Sequence, residues 1–476
     1  MSDSDLETSE AEAAAGAPAP AETRLDEDDR LRPEYVREVI ERLEAGDPEG
    51  ACALVEPLHP ADIADLFELV GSEHRRALAA AMADLLDGDV LAEMNEWVRE
   101  ELIDELEPHQ VAEIAGELET DDAVALIEDL EEEEQRAVLR ALDPDDRAAI
   151  EEALSYPEDS AGRLMRRDAV AVPEHWTVGQ IIDFLRAGDE LTTDFWEVFV
   201  VDPAHRPVGT CLLSWILRTP RRIAVSDVMK REQTLIPVDM DQEEVALRFQ
   251  KYALISAAVV DQAGRLVGMI TADDVVHIIQ EEASEDTLLL SGAGTEGDIN
   301  EPVRDSYRAR VRWLAANLVT ALVASAIIFF FGAAIEQMVA LAVLMPIVAS
   351  IGGNAGTQTM AVAVRALAMN QLTKSNTLRT IRREILVAVL NGLTIALLLG
   401  VGAALVFQNP ALGGVIAAAM LINILIAGLS GVLVPVTLER LGQDPAVSSS
   451  VFVTMITDSM GFLAFLGLAV ASGLVG

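Results

Sequence analysis

Asp458 is the residue in this sequence whose chemistry most needs an explanation. It lies in an otherwise apolar stretch from Thr454 to Gly461, and no basic residue occurs within that apolar segment. A carboxylate near the centre of a bilayer costs about 3 kcal/mol even on insertion scales, so acids at such positions usually serve ion or proton transport. We therefore interpret Asp458 as the anionic ligand of a cation path. The alternative is a protonated or hydrogen-bonded packing residue, with Thr454 and Thr457 as its neighbours.

A second unusual stretch, PIVASIGGNAGTQ from Pro346 to Gln358, occurs in another apolar segment. Pro346 removes one backbone donor, and the three glycines that follow weaken a helix. The sequence therefore predicts a break in the helix that brings backbone carbonyls and polar side chains together. Irregular backbone at membrane depth survives where it lines a water-filled path. The alternative is a kinked helix that packs through small residues.

The apolar half of the chain offers oxygen ligands and neither sulfur nor imidazole. No His and no Cys occurs in residues 301–476, which disfavours zinc or copper, whereas oxygen ligands suit Mg²⁺, Ca²⁺ or Mn²⁺. Mg²⁺ keeps several waters and typically takes one or two carboxylates, a need that one Asp per chain meets when two-fold symmetry doubles it. The candidate pore ligands are Asp458, Asn354, Gly352, Gly353, Gly356, Thr357 and Asn423.

Five apolar segments are each long enough to cross a hydrocarbon core about 30 Å thick. They cover residues 312–334, 338–366, 384–407, 412–437 and 447–474. Basic residues cluster before the first segment and between the second and third, and they are scarce in the loops that follow the first and third. The positive-inside rule then places the N-terminal half in the cytoplasm and the C-terminus outside. We expect a multi-pass protein of the cell membrane without an N-terminal signal peptide.

Charge divides the chain into two halves. Residues 1–300 hold 72 acidic and 24 basic residues, whereas residues 301–476 hold 7 acidic and 10 basic ones, for a formal net charge of −45. Such acidity argues against nucleic-acid binding, which needs clustered Lys and Arg. Two interpretations of the acidic surface stay open. It could bind divalent cations, or it could be a solvated surface of the halophilic kind, which the presence of only three lysines also favours.

The acidic half begins with a tail and a helical repeat. Residues 1–29 have almost nothing apolar to bury and are predicted to be disordered. Within residues 30–155, similar helix starts with Pro near the first turn recur after Leu58, Leu106 and Leu142. Repeated helical pairs of this kind predict an acidic superhelical domain.

Two copies of a short unit follow, at residues 156–222 and 223–280. Each copy contains a strand that ends in Val-Val-Asp, a turn, and a second strand through Val-Gly. This tandem unit resembles a pair of CBS domains, regulatory modules that commonly bind adenosyl ligands or metal ions. By that resemblance, Thr271 and Asp274 of the second copy fit a ribose-contacting pattern, so a nucleotide such as ATP is one expectation for this site.

The order of these parts resembles the MgtE family of magnesium channels and transporters. The acidic helical domain and the CBS pair are followed by an acidic connecting helix and linker at residues 281–310 and a membrane domain at residues 311–476. Asp458 and the motif P-x5-GGN-x-G-x-Q from Pro346 to Gln358 carry the resemblance. It implies a multidomain membrane protein with an α-superhelical N domain, α/β tandem CBS domains and an all-α five-helix transmembrane domain.

The resemblance also implies a mechanism. The protein would be a homodimer in the lipid bilayer with one central pore, lined by the second and fifth spans, in which Asp458 binds hydrated Mg²⁺. The connecting helix would be a plug that cytosolic Mg²⁺ holds over the pore. The expected sensor carboxylates are Glu243, Asp274, Glu282, Glu285 and Asp286. The sequence departs from the family at His277 and Ala253, where relatives often carry Asp, and at Ser450, where some carry Asn.

Two other functions remain open from the sequence. The protein could exchange a divalent cation against Na⁺ or H⁺, or it could be a membrane-tethered CBS sensor that conducts nothing. The hypothesis of a non-conducting sensor does not explain the polar stretch from Pro346 to Gln358. An enzyme is not expected, because the sequence has no nucleophile–base set, no phosphate-binding Gly-Lys loop and no zinc motif.

Overall fold

The computed structural model describes residues 24–476 except 105, 129, 188–194, 295–296, 374, 448 and 476. The chain divides into two compact units between Ile279 and Gln280. The first unit contains a helical domain and two small sheets, and the second contains the long apolar helices. This division confirms the predicted fold class.

Within the described residues, ten α-helices form the N-terminal domain. They are α1 (Pro33–Glu44), α2 (Pro48–Val55), α3 (Pro60–Leu69), α4 (Ser72–Ala81), α5 (Gly88–Ala92), α6 (Glu96–Ile103), α7 (Pro108–Glu117), α8 (Thr120–Glu128), α9 (Glu132–Ala141) and α10 (Pro144–Ala153). Several begin at proline, whose missing N–H is not needed at a helix start and whose fixed φ suits a helix. Their apolar faces pack around fully buried side chains such as Phe67 and Ile127. The predicted helical domain is therefore confirmed.

The predicted disordered tail, residues 1–29, needs a correction at its end. Residues 1–23 lie outside the described residues, but Arg24 is 7% exposed and its guanidinium donates to the carbonyl of Pro57 at 3.0 Å. Leu25 pairs with Leu31 in an antiparallel bridge and packs against the core of the helical domain. This contact buries apolar surface and orders a short segment whose composition alone predicts disorder.

Each copy of the duplicated unit contains a three-stranded sheet. The elements are β1 (Ala171–Pro173), α11 (Val178–Ala187), β2 (Glu197–Val201), β3 (Pro207–Leu212) and α12 (Leu213–Arg218), then β4 (Leu235–Pro237), α13 (Gln242–Tyr252), β5 (Ser256–Val260) and β6 (Leu266–Thr271). In both sheets the first strand pairs parallel with the second, and the second pairs antiparallel with the third. The predicted hairpins are confirmed in both copies.

The segment that precedes the sheet of each copy pairs with the sheet of the other copy. Arg166 precedes the first sheet but bridges to Met269 on β6, and Lys230 precedes the second sheet but bridges to Thr210 on β3. Glycine permits the close approach, because a Cβ at Gly268 would lie 2.6 Å from the carbonyl oxygen of Arg166. This exchange brings Arg166 beside the second copy.

One continuous helix, α14 (Ala272–Ser291), follows the second sheet. The predicted boundary at residue 280, between the second CBS domain and the connecting helix, falls inside it. Asp274 and the predicted sensor carboxylates from Glu282 to Asp286 therefore belong to a single helix.

The second unit is built from long helices. They are α15 (Val303–Phe330), the short α16 (Gly332–Gln337), α17 (Val339–Ala368), α18 (Thr377–Val406), α19 (Pro410–Arg440) and α20 (Ser449–Ala471). Among the described residues, five of these helices are long and apolar enough to cross a membrane. The prediction of a five-span, multi-pass membrane domain is confirmed. Helices α15 and α18 begin several residues before the predicted spans, because their basic first turns are also helical.

The predicted break between Pro346 and Gln358 is wrong. Helix α17 runs through this stretch with Pro346 inside it. A Cβ at Gly352 would lie 2.1 Å from the amide nitrogen of Asn423, and a Cβ at Gly356 would lie 2.6 Å from a side chain of α20. A glycine weakens a helix by about 1 kcal/mol, but here it allows close packing, and a continuous helix satisfies its own backbone in a membrane. Packing through small residues is therefore the correct interpretation of this backbone.

Candidate metal sites

Asp458 lies on a cavity of about 320 Å³ between α15 and α20. The lining residues are Asn317, Thr320 and Ala321 from α15 and Ser450, Val451, Thr454, Met455 and Asp458 from α20. Ser450, Thr454 and Asp458 follow at four-residue spacing and so share one helix face. Among the described residues Asp458 has no hydrogen-bond or ion-pair partner, so the structure does not support a hydrogen-bonded packing role.

The neighbouring residue, Thr457, lies on a different side of α20. It is fully buried, and its hydroxyl donates to the carbonyl of Thr454 at 3.0 Å. Asp458 itself is half-buried. The hydroxyl of Thr457 is therefore used in a hydrogen bond within α20, whereas Asp458 lines the cavity. Carboxylate, amide and hydroxyl oxygens are the ligands that hard divalent cations prefer.

The predicted pore residues of α17 divide between two faces. Gly352 and Gly356 are buried, Gly353 and Thr357 are half-buried, and Asn354 is exposed. The hydroxyl of Thr357 donates to the carbonyl of Gly353 at 2.6 Å. The buried glycines therefore form packing contacts, and Asn354 is the predicted ligand of this helix that is open to a partner.

A polar row runs along the exposed side of α17. Ser350, Asn354 and Gln358 follow one another at four-residue spacing, and all three are exposed. Polar side chains at membrane depth need water or a protein partner. The row therefore marks the face of α17 that lines an aqueous path or meets another copy of the chain.

Asn423 lies inside the helix bundle. It is fully buried on α19, and its amide nitrogen donates to the carbonyl of Val348 on α17 at 3.0 Å. Glycines make room for it on both sides, since a Cβ at Gly352 or Gly461 would lie 2.1 or 2.6 Å from that nitrogen. Asn423 therefore joins α17, α19 and α20. In this conformation its amide nitrogen is used in packing between these helices, and its role as a pore ligand stays a prediction.

In the first unit, one arginine gathers acidic residues from two domains. The guanidinium of Arg166 lies 3.3 Å from Asp121 of the helical domain and 3.0 Å from Asp273 of α14, and it also contacts Glu119 and Asp274. The side chains of Arg166 and Asp121 are each 11% exposed. We refer to Arg166 and these four carboxylates as the Arg166 cluster. One guanidinium thus meets four carboxylates.

Burial dominates the electrostatics of the Arg166 cluster. Burial, and after it the nearby Asp274, raises the pKa of Asp121 well above its ordinary value despite the contact with Arg166. Burial likewise raises the pKa of Glu119 and of the adjacent Asp122. Carboxylate oxygens of Glu119, Asp121 and Asp122 all lie within 4.8 Å of one another, close enough to hold one metal ion. Protons or cations would therefore stabilise this interface.

Two more arginines hold the same segment to the helical domain. Arg163 pairs with Glu128 at 2.8 Å, and Arg167 contacts Glu152. The second pair is more exposed, at 30% and 45% of the two side chains. Arg166 is thus the central and most buried of three anchoring residues.

The two predicted nucleotide-contacting residues, Thr271 and Asp274, form hydrogen bonds with each other. The hydroxyl and the backbone N–H of Thr271 donate to one oxygen of Asp274, at 2.7 and 3.1 Å, and its other oxygen meets Arg166. Both side chains are therefore engaged within the protein in this conformation. Glu243, the other predicted sensor residue of this unit, is half-buried in the first turn of α13.

The remaining predicted sensor residues lie in the second half of α14. Glu282 and Glu285 are half-buried. Burial, and after it the nearby Asp444, raises the pKa of Asp286 above its ordinary value. Asp444 lies in the loop between α19 and α20. Two carboxylates from different elements therefore approach each other beside the membrane helices.

The last turn of α14 packs on the membrane helices. Leu289 is 5% exposed and lies in one apolar cluster with Met360 and Val364 of α17 and Val453 of α20. Helix α17 carries the polar row, and α20 carries Asp458. The end of α14 therefore contacts both helices that bear the candidate pore residues.

Sequence reasoning missed Arg166 and two polar residues of α15, Asn317 and Thr320. Arg166 belongs to an adjacent arginine pair in a half of the chain that is otherwise strongly acidic, and that pair was a usable signal. Asn317 could have been found by the test applied to Asp458, because it is an amide within an apolar span.

Comparison with known proteins gives a consistent result over most of the chain. Residues 345–468 match the MgtE family, described as a divalent cation transporter, residues 58–159 match the MgtE intracellular N domain, and residues 225–281 match the CBS domain. The chain is 34% identical over 320 residues to the magnesium transporter MgtE of Thermus thermophilus, which covers 66% of this chain and 70% of that protein. It is 30% identical over 318 residues to the magnesium transporter MgtE of Bacillus subtilis, covering 67% and 70%. A solved structure of the cytosolic domain of the Mg²⁺ channel MgtE in complex with ATP matches 51% of this chain and 99% of that chain, at 30% identity and a TM-score of 0.47.

Proposed function

We propose that this chain, which belongs to the MgtE family of divalent cation transporters, is a magnesium-selective membrane channel or transporter that mediates Mg²⁺ uptake. The observation that carries the proposal is Asp458, which has no side-chain partner among the described residues and lies on a cavity that also presents amide and hydroxyl groups. The names of its relatives support Mg²⁺ as the transported ion.

The size of the cavity supports a hydrated ion. A cavity of about 320 Å³ is large enough for an ion together with several water molecules. Mg²⁺ gives up its waters reluctantly and is commonly bound through one or two carboxylates. Asp458 would therefore hold Mg²⁺ through its water shell.

The proposal includes a homodimer with the N-terminal half in the cytoplasm. The exposed polar row of α17 requires water or a protein partner, and a second copy of the same helix provides both around a shared pore. Basic residues in the first turns of α15 and of α18 favour the cytoplasm for both of these ends.

Regulation by Mg²⁺ is the finer part of the proposal. Asp286 and Asp444 repel each other when both are charged, so a cation between them would hold the end of α14 against α17 and α20. The Arg166 cluster carries more negative charge than its arginine neutralises, and a cation would stabilise that interface too. Both features support a closed state that cytosolic Mg²⁺ stabilises.

A nucleotide would have to compete for Asp274. Thr271 and Arg166 already occupy its two oxygens, so ATP binding at this pair requires Asp274 to leave Arg166. If ATP binds at this pair, the unmodified chain should bind ATP more weakly than Arg166→Gln does. Equal ATP binding by the two proteins would mean that ATP does not contact Asp274.

The proposed transport is tested with the full chain in proteoliposomes and a Mg²⁺-sensitive dye. We expect Asp458→Asn to abolish Mg²⁺ entry, because it removes the charge and keeps the shape. Glu336→Gln is the matched control, since Glu336 is an exposed acid in α16 of the same unit. Entry that survives Asp458→Asn would refute the pore assignment. Entry that requires an opposing Na⁺ or H⁺ gradient would show coupled exchange in place of passive flow.

A further inference from the structure

We infer that Asn317, on the first membrane helix, faces the hydrated cation opposite Asp458 and helps to select it. The inference rests on the proposed transport function and adds a ligand from α15 to it. Asn317 and Thr320 line the same cavity as Thr454 and Asp458. The polar surface around the carboxylate is thus supplied by two helices of one protomer.

The position of Asn317 on its helix supports this role. Helix α15 has one buried residue among those described, Ala324, which lies two turns after Asn317 on the same face. Asn317 is itself exposed in the single chain, as are the leucines at positions 314, 318 and 322, at 61–64%. It differs from them in that it lines the cavity between α15 and α20. An amide at membrane depth needs a polar partner, and the Asp458 cavity provides one.

Thr320 contributes an acceptor to the same cavity. Its hydroxyl proton is used within α15, where the group donates to the carbonyl of Asn317 at 2.8 Å. The remaining lone pairs of that oxygen can accept hydrogen bonds from water. A cation's inner waters donate strongly, so acceptor oxygens around the cavity suit an intact water shell. The amide oxygen of Asn317 adds a second neutral acceptor across from the Asp458 carboxylate.

The chemistry explains why such residues would affect selection. Ca²⁺ exchanges its waters for flexible protein ligands more easily than Mg²⁺ does. Neutral acceptors that bind a water shell therefore favour the ion that keeps its shell. Loss of one such hydrogen bond, at ~1 kcal/mol, corresponds to a change of about fivefold in the ratio of Mg²⁺ to Ca²⁺ entry.

The test measures Mg²⁺ and Ca²⁺ entry into proteoliposomes for the full-length variant Asn317→Leu. We expect the Mg²⁺/Ca²⁺ ratio to fall about fivefold, and we expect Asn317→Gln to restore part of it. Asn391→Leu is the matched control, because Asn391 is an exposed asparagine of α18 on a different cavity. A ratio that is unchanged in Asn317→Leu, with Asp458→Asn still inactive, overturns this inference and leaves the transport function intact. Entry that persists in Asp458→Asn overturns both.

A labelling experiment tests the position of Asn317 even if the leucine variant folds poorly. Cys52 and Cys211 are first replaced by serine, which leaves no native thiol in the chain. The thiol introduced by Asn317→Cys should react with a water-soluble methanethiosulfonate, and Mg²⁺ should slow that reaction. The thiol introduced by Leu318→Cys, at a position that is 63% exposed on the apolar side, should show no Mg²⁺ protection. Equal behaviour of the two thiols would refute the placement of Asn317 at the ion.

Discussion

Replacing Arg166 by glutamine is the sharpest test of how the helical domain is held to the CBS pair. The substitution keeps a polar side chain of similar length but removes the charge that the four carboxylates of the Arg166 cluster share. We expect the contact between α8 and the CBS pair to loosen in buffer without divalent cations.

The magnitude follows from the burial of the partners. Asp121 and Asp274 are 11% and 15% exposed, whereas Glu119 and Asp273 are 33% and 63% exposed. Removing one member of a buried ion pair costs about 3–5 kcal/mol, because the other charge stays buried without a partner. Exposed pairs contribute about 0–1 kcal/mol. Protonation of the buried acids relieves part of the cost, so we expect ~3 kcal/mol, which is roughly a 100-fold increase in local opening.

Amide hydrogen exchange of the full chain in detergent measures this opening. Exchange of α8, which carries Asp121, should accelerate by roughly 100-fold in Arg166→Gln. Arg167→Gln is the matched control, and because its pair with Glu152 is much more exposed we expect acceleration of at most about fivefold. Millimolar Mg²⁺ should restore protection, and the gain should be larger in Arg166→Gln than in the unmodified chain.

Two results would refute this reasoning. Equal exchange in the Arg166 and Arg167 variants would mean that the buried cluster contributes no more than a surface ion pair. Slower exchange of α8 in Arg166→Gln would mean that burying Arg166 costs more than its contacts return, as happens when the desolvation of a buried ion pair exceeds its attraction.

Two further predictions concern one acid and one glycine. Burial raises the pKa of Asp121, so the contribution of this carboxyl group to stability is complete below its ordinary pKa of 3.8 and is lost as the pH rises through the raised value. Asp121→Asn should therefore flatten the fall in melting temperature between mildly acidic and neutral pH. An unchanged slope would contradict the raised pKa of Asp121. Gly352→Ala places a Cβ 2.1 Å from the amide of Asn423 and should destabilise the membrane unit by about 1–3 kcal/mol through overpacking. Gly353→Ala, whose Cβ meets nothing within 4 Å, should be neutral or stabilise the helix by up to about 1 kcal/mol. Equal melting temperatures for the two alanine variants in detergent would show that the contact with Asn423 does not limit packing.

The errors of prediction share one cause. Pro346 and the glycines after it predict a break because each weakens a helix locally, yet α17 is continuous, and Gly352 and Gly356 pack against α19 and α20. Residues 24–29 are predicted to be disordered because of their composition, yet Leu25 packs against the core of the helical domain. In each case a contact with another part of the chain outweighs the local preference of the residue.

The sequence by itself determined the features that depend on local composition and spacing. The length of the apolar segments defines the five membrane helices. Hydrophobic periodicity and sequence repetition define the helical domain and the two hairpins. Asp458 is a candidate cation ligand because it is the lone acid in an apolar span. Only the tertiary structure decided which distant side chains meet. Arg166 lies 45 residues from Asp121 and 108 from Asp274 in the chain, and Asn317 shares a cavity with Asp458 although four other helices lie between α15 and α20 in sequence. Hydrophobic periodicity shows which face of a helix is buried, but the partner of that face depends on packing among all the helices.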